Sequence, residues 1–277
     1  MPLPDPYFEP AIRDPKKLRN TAFILVAIMF LGGWLVLERY KRLEAETARK
    51  AYEKFVKEQI QNIIDIGDEN RPAYIYRITP ERDLRMLRQD GKIVNLVDLR
   101  GKVIAINVIS IRDPEAAELS MAVMKRLASS HAATPDFCLV SLVVDPQPSE
   151  KLLSTLKDTA ATNEMKLPQW WLSGNEPKTL HKFIKNELKA NIFPYELKGK
   201  WAYDSSIVLI DKSGHIRRAV VPQKQGGPPF IATFDFEQAA AWDAKGAKTG
   251  TKNTNLAELE ILLNKTIEKL LAEEFKN

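Results

Sequence analysis

The sequence predicts an α/β domain with a mixed sheet flanked by helices, preceded by a transmembrane helix and a helical stalk. Three observations support this architecture. Apolar runs alternate with amphipathic segments, a hairpin pattern follows late in the chain, and a long amphipathic helix closes it. The chain has 277 residues, of which 44% are hydrophobic and 28% charged. These values are ordinary for a globular protein and leave room for one large domain or two small ones.

An uncharged and mostly apolar run, TAFILVAIMFLGGWLVL, occupies positions 21–37 behind an amino-terminal tail at 1–20. A helix of this length reaches about 25 Å, the short end of what spans a bilayer. Arg19 and Arg39 flank the run and Trp34 lies near one end, as interfacial residues do. No A-x-A-like cleavage site follows, so we expect an uncleaved single-pass anchor rather than a signal peptide. Basic residues on both sides are nearly equal in number and leave its orientation open.

Residues 38–66 are predicted to form a helical stalk. Their apolar side chains recur at spacings of three and four, which places them on one stripe, while charged residues fill the other faces. The stripe comprises Ala48, Tyr52, Phe55, Val56, Ile60 and Ile63. It either packs on the globular domain or binds a partner helix, and Tyr52 and Phe55 are its candidate partner contacts. Helix signals end at Gly67, where we expect the domain 67–277 to begin.

The domain consists of alternating predicted strands and helices. An Asp-Gly turn in RQDGK joins two short extended segments. Strands are predicted at 102–110, 137–145 and 170–174 and in a hairpin at 205–221, and helices at 114–130, 149–164, 176–188 and 256–275. Pro114 fits the first turn of its helix because its missing N–H costs nothing there, and Ser149 is predicted as an N-cap. Helices between parallel strands, followed by a hairpin, give a mixed sheet.

Residues 222–255 interrupt this pattern. Gly, Pro, Lys and Thr dominate the ends of the segment, and four aromatic residues, Phe230, Phe234, Phe236 and Trp242, lie in its middle. We interpret it as a long insertion rather than a strand or helix. Loops of this length are usually functional or disordered. The aromatic side chains either fold back on the domain or contact a partner, because aromatic residues are enriched in interface cores.

The composition argues against several kinds of chemistry. The net charge is +5 with basic and acidic residues interleaved, so nucleic-acid binding is not favoured. The single cysteine, Cys138, cannot form an intrachain disulfide and lies in an apolar run, where cysteine usually acts as a small buried hydrophobe. The sequence contains no motif of serine hydrolases, P-loop proteins or zinc proteases. Nothing gathers His131, His181 and His215, and we expect all three at the surface.

Five features occur in a fixed order along the chain. They are the single amino-terminal anchor, DGKIVNLVDLRGKVIAINVIS at 90–110, Val144-Asp145-Pro146, Trp171-Leu172-Ser173-Gly174, and Val208-Leu209-Ile210-Asp211 with Ser213-Gly214. In this order they resemble the SCO/SenC family, the membrane-anchored thioredoxin-like copper chaperones of cytochrome c oxidase assembly. The resemblance covers roughly residues 84–221 and the last helix, with 222–255 as an extra insertion. It implies a thioredoxin-like domain.

The family's site residues are missing from this chain. The family has two cysteines spaced C-x-x-x-C after the first buried strand, and an ungapped reading from Lys102 places Asp113 and Ala117 at these positions. The same reading places Tyr203 where the family has a histidine that binds copper. Copper(I) prefers soft thiolate, thioether or imidazole ligands, and thiol–disulfide exchange needs a thiolate. The resemblance therefore implies a degenerate site without cofactor or metal.

These observations lead to a functional hypothesis. We expect a non-catalytic, single-pass membrane protein that assists assembly of a respiratory cytochrome oxidase or forms an accessory subunit of it. Its domain would lie in the periplasm, or in the mitochondrial intermembrane space of a eukaryote, and we expect neither nucleic acid nor a small-molecule substrate. Two alternatives stay open: a copper chaperone with unconventional ligands, and a membrane-tethered redox protein that uses Cys138. A structural tether unrelated to respiration is a further possibility.

Overall fold

The computed structural model describes residues 71–221, 229–247 and 251–275, together with residues 37–40, 43, 46 and 47. The chain divides into two compact units, Met1–Gln59 and Ile60–Asn277. The described residues of the first unit are helical, and Thr47 Oγ1 donates a hydrogen bond to the Leu43 carbonyl oxygen at 2.7 Å. This agrees with a helical stalk at these positions.

The predicted anchor, apart from Leu37, lies outside the described residues, as do the stalk residues Tyr52 and Phe55. Within the part of the chain that the structure describes, no helix is both long and apolar enough to cross a membrane. The anchor and the partner contacts of the stalk therefore stay predictions.

The second unit contains eleven strands and five α-helices among its described residues. The strands are β1 (Ala73–Arg77), β2 (Met86–Arg88), β3 (Ile93–Val94), β4 (Val103–Ile109), β5 (Phe137–Val143), β6 (Trp170–Gly174), β7 (Tyr195–Leu197), β8 (Lys200–Ala202), β9 (Val208–Ile210), β10 (His215–Val221) and β11 (Phe230–Ala232). The helices are α1 (Glu118–Ser130), α2 (Ser149–Thr162), α3 (Pro177–Asn186), α4 (Phe236–Ala244) and α5 (Asn255–Ala272). Short 3-10 helices occupy Pro80–Arg82, Leu96–Leu99 and Pro114–Ala117.

Nine strands form one sheet in the order β1-β10-β9-β4-β5-β6-β2-β3, with β11 added on β10. The central strands β4, β5 and β6 are parallel, and the strands outside them are antiparallel to their neighbours. A parallel β4-α1-β5 unit, with the antiparallel β9–β10 hairpin on the other side of β4 and a helix at the end, is a thioredoxin-like arrangement. The mixed α/β sheet flanked by helices is thereby confirmed.

The two central strands explain why their sequences are continuous apolar runs. All seven residues of β4 and of β5 are buried, and they pair in register from Val103↔Phe137 to Ile109↔Val143. Alternate residues of these strands belong to two core clusters, one on each side of the sheet. Helices α1, α2, α4 and α5 contribute to the first cluster and α3 to the second. Strands covered on both faces need apolar side chains on both.

Two helices begin differently from the prediction. The helix predicted from Pro114 starts as a 3-10 turn and becomes α-helical only at Glu118. Ser149 is the first residue of α2 rather than its N-cap, since the N-cap position is occupied by Pro148.

The insertion 222–255 contains regular structure, so its interpretation as a segment without strand or helix is wrong for the described part. Strand β11 pairs with β10 in the register Ala219↔Ala232 to Val221↔Phe230. Helix α4 is capped by Asp235, whose side chain accepts a hydrogen bond from the Gln238 backbone. A three-residue strand such as β11 gives little local signal, because it is defined by its pairing with β10.

The four aromatic residues of the insertion divide into two pairs. Phe234 and Phe236 are each 1% exposed and belong to the first core cluster, so they fold back on the domain and are not surface contacts for a partner. Phe230 and Trp242 are 55% and 45% exposed. Partner contact therefore stays a prediction for these two.

Candidate functional site

Two of the three residues predicted to mark a degenerate site, Asp113 and Ala117, lie in the loop that follows β4 and in the 3-10 turn after it. Pro114 is the first residue of this turn, which makes Asp113 its N-cap residue. The Asp113 backbone N–H donates to Ser110 Oγ at 3.0 Å, and its carboxylate lies 3.6 Å from Lys200 Nζ. Ala117 ends the turn and is 1% exposed in the first core cluster. Asp113 is thus a salt-bridged acid at the start of the turn, and Ala117 contributes a methyl group to the core.

The side chain of Asp145, which follows β5, accepts hydrogen bonds from this loop. The residue is 4% exposed, and its Oδ1 accepts hydrogen bonds from Ser110 Oγ at 2.9 Å and Arg112 Nε at 3.1 Å. Its Oδ2 accepts from the Ile111 backbone N–H at 2.5 Å. The carboxyl ends of parallel strands meet at one edge of a sheet, so an acid two residues after β5 reaches the loop after β4. Sequence reasoning used Asp145 only as part of a family motif and missed this role.

Tyr203, the third predicted site residue, directly follows β8. Its hydroxyl oxygen accepts a hydrogen bond from the Ser110 backbone N–H at 3.1 Å. Burial raises the pKa of Tyr203 well above its usual value; the Ser110 hydrogen bond opposes this rise and the nearby Asp145 adds to it. The phenol is therefore neutral at physiological pH. Ser110 thus brings together Tyr203 and Asp113, two of the three predicted site residues.

Helix α4 contributes a further acid, Glu237, which the sequence did not single out. Its Oε1 accepts from the Ser120 backbone N–H and its Oε2 from Ser205 Oγ, both at 3.0 Å. Burial raises the pKa of Glu237, against these hydrogen bonds. The insertion therefore connects the start of α1 with the segment that precedes β9.

The histidines do not all lie where the sequence placed them. His131 and His215 are partly exposed, whereas His181 is 6% exposed, so its prediction as a surface residue is wrong. Its Nε2 lies 2.8 Å from the Val144 carbonyl oxygen, and its ring packs 5.1 Å from that of Trp201. Among the described residues, no three His, Cys, Asp or Glu side chains are arranged to hold a metal ion.

Cys138 is 1% exposed in β5, as expected for a small buried hydrophobe. Burial raises the pKa of its thiol to about 12. We expect no alkylation of Cys138 by iodoacetamide in the native protein near neutral pH, because the thiolate is the reactive form. Intact-mass spectrometry should show the unmodified chain in buffer and full modification in urea. Rapid modification under native conditions would support the redox alternative instead.

Comparisons with known proteins give matches among solved structures only. No family model and no curated protein matches the chain. Copper-bound ScoI from Arabidopsis thaliana is 12% identical, with a TM-score of 0.46 over 68% of this chain and 97% of that one. BsSco, a member of the Sco family of cytochrome c oxidase assembly proteins, is 21% identical, with a TM-score of 0.44 over 65% and 97%.

A SCO1/SenC family lipoprotein from Bacillus anthracis is 18% identical, with a TM-score of 0.43 over 68% of this chain and 92% of that one. Sco proteins are therefore among the solved structures to which this chain is similar.

Proposed function

We propose that the protein is a non-catalytic, membrane-anchored SCO-like protein that assists the assembly of a respiratory cytochrome oxidase or serves as its accessory subunit. One observation carries the proposal. Asp113 and Ala117 stand where the resembled family has its two cysteines, and the loop around them is held by Asp145 through Ser110 and Arg112.

The chemistry of this loop supports a role without catalysis. The carboxylate oxygens of this loop are hard ligands, whereas copper(I) prefers soft ones. They are also already engaged, since Asp145 accepts hydrogen bonds and Asp113 forms an ion pair. The single thiol, Cys138, is buried and neutral, so it is a poor nucleophile for disulfide exchange. We therefore propose that the domain acts by binding a partner through its surface.

A groove beside the insertion is a suitable place for a partner. Phe230 of β11 and Trp242 of α4 line a cavity of about 510 Å³ together with Leu259 and Leu262 of α5. Both aromatic side chains are about half exposed. A groove with apolar walls and aromatic edges suits an apolar side chain of another protein.

The first test is a copper(I) titration of the full chain in mild detergent against a competing chelator. We expect no retained copper in the wild type. The double variant D113C/A117C should gain tight binding, because it restores two thiolates at the family spacing. Tight one-to-one binding by the wild type would instead favour the chaperone alternative with unconventional ligands.

The second test is a gentle detergent pull-down of the full chain, read by mass spectrometry and a haem spectrum. Oxidase subunits with bound haem should accompany the wild type and be lost from the F230S/W242S variant. I261S serves as a matched control, because Ile261 is an exposed apolar residue, 40% accessible, on α5 outside the groove. Recovery of the chain without respiratory subunits would remove the proposed oxidase role.

A further inference from the structure

Strands β7 and β8 form a hairpin that is separate from the nine-stranded sheet. The hairpin turns at Lys198 and Gly199, whose φ angles are 53° and 79°. Positive φ at both central residues is what a tight two-residue hairpin turn requires. Its strands pair in the register Tyr195↔Ala202 to Leu197↔Lys200. The hairpin is therefore a regular element.

Four large apolar side chains are exposed within six residues at this hairpin, and we call them the hairpin patch. They are Ile192 (39%), Phe193 (46%), Tyr195 (50%) and Leu197 (56%). Single exposed apolar residues are normal on a soluble surface, whereas a contiguous group marks an interaction surface.

The other face of the hairpin is fixed to the domain. Because side chains alternate along a strand, Glu196 and its cross-strand partner Trp201 lie on the face opposite to Tyr195 and Leu197. Arg112 Nη1 lies 3.7 Å from Glu196, and the Arg112 guanidinium lies 5.9 Å from the centre of the Trp201 ring. The Trp201 ring also lies 5.1 Å from that of His181, so this face lies against the domain.

Two lysines lie on or beside the exposed face of the hairpin. Lys198 occupies the turn, and Lys200, whose side chain is 70% exposed, lies opposite Leu197 on the same face. The hairpin's own acid, Glu196, is on the inner face, and Asp113 is the carboxylate that pairs with Lys200. The patch thus combines aromatic and aliphatic side chains with lysine.

We propose that the hairpin patch contacts a lipid surface, with its apolar side chains in the interfacial layer of a bilayer and Lys198 and Lys200 at anionic headgroups. Aromatic residues favour the membrane interface, and lysine extends its ammonium group to the headgroups. A lysine near an anionic surface contributes about 1 kcal/mol of attraction. Protein interfaces, in contrast, are depleted in lysine. The inference goes beyond the proposed oxidase role and does not depend on it.

The test uses the full chain in vesicles whose acyl chains carry bromine, with an environment-sensitive fluorophore on the L197C variant. The native Cys138 is buried with a raised pKa, so the label goes to the introduced thiol. We expect quenching by brominated lipid in vesicles that contain phosphatidylglycerol. The quenching should be lost in pure phosphatidylcholine and at high salt, because the Debye length falls from about 8 Å at physiological ionic strength to about 3 Å at 1 M.

I93C is the matched control, because Ile93 of β3 is 55% exposed and lies outside the hairpin. Its label should stay unquenched in every lipid composition. The Y195S change on the L197C background should reduce the quenching of the label at position 197, because Tyr195 lies on the same face of the hairpin and is 50% exposed. Unchanged quenching in that variant would overturn the assignment.

Absence of quenching at position 197 in all vesicles would also overturn it. The label at position 197 could report shielding from water in native membranes but not in vesicles that lack other proteins. That result would identify a protein partner and reject the lipid surface. Resistance of the full chain to carbonate extraction tests the anchor separately.

Discussion

Replacing Arg217 by methionine is expected to lower the free energy of unfolding by about 3–5 kcal/mol, the cost of removing one partner from a buried ion pair. The Arg217 side chain is 0% exposed. Its Nη1 donates to Asp211 Oδ2 at 2.7 Å, and the guanidinium binds both carboxylate oxygens of Glu273 at 2.8 and 2.9 Å. Its Nη2 also donates to the Pro72 carbonyl oxygen at 2.8 Å. One side chain thus joins β10 to the start of β1 and the end of α5.

The cost of R217M should depend on pH. In the wild type the pKa of Asp211 is lowered: burial alone would raise it, but hydrogen bonds from His215 and Arg217 more than offset burial. A carboxyl group with a lowered folded-state pKa stabilises the fold above its unfolded pKa, and this contribution is lost as the pH falls through the folded-state value. In R217M the buried Asp211 carboxylate loses its arginine partner, so its burial is no longer offset by that hydrogen bond. Burial raises the pKa of an unpaired carboxyl group, so lowering the pH protonates Asp211 in the variant and relieves this penalty.

Urea unfolding of residues 60–277, followed by tryptophan fluorescence at pH 7 and pH 4, measures both effects. The matched control is R126M. Arg126 pairs with Glu260, but the two side chains are 54% and 30% exposed, and such pairs contribute about 0–1 kcal/mol. Equal losses in R217M and R126M, or a loss in R217M that does not shrink at pH 4, would contradict the expectation.

The central strands and most helices could be predicted because their signals are local. A strand covered on both faces is a continuous apolar run, as β4 and β5 are. The strand β1 gave no comparable signal, because its pairing with β10 joins residues far apart in sequence, such as Tyr74 and Arg217. The burial of Arg217 could not be predicted from the sequence for the same reason. Its partner Glu273 lies 56 residues further along the chain, so no local pattern distinguishes it from a surface arginine.

The sequence named three residues of the candidate site but not the contacts between them. Alignment with the resembled family pointed to Asp113, Ala117 and Tyr203, and the structure joins the first and last of these through Ser110. The role of Asp145 depends on the parallel register of β4 and β5, which brings the ends of these strands together. That register is a tertiary property and cannot be read from the loop itself.

Replacing Phe236 by alanine is expected to cost about 3–5 kcal/mol of unfolding free energy, as for other buried phenylalanines. Phe236 is the first residue of α4 and is 1% exposed, in the same core cluster as Leu263 and Ile267 of α5. Alanine leaves a cavity that the surrounding sheet and helices fill only in part. F230A is the matched control: it removes the same ring from the same insertion, but that ring is 55% exposed, and such surface changes usually stay within about 0.5 kcal/mol.

Urea unfolding of residues 60–277 at neutral pH distinguishes the two variants. A large loss for F236A alone means that the insertion is part of the folded core. In that case α4 holds Glu237 against Ser120 and Ser205 at the candidate site. Strand β11 and α4 then present Phe230 and Trp242, respectively, from the folded core. A partner that contacts these two residues then binds an insertion that is already ordered. Its affinity is therefore not reduced by the entropic cost of ordering that segment. Equal small losses for both variants would instead make the insertion a loose appendage, and binding there would carry the cost of folding it.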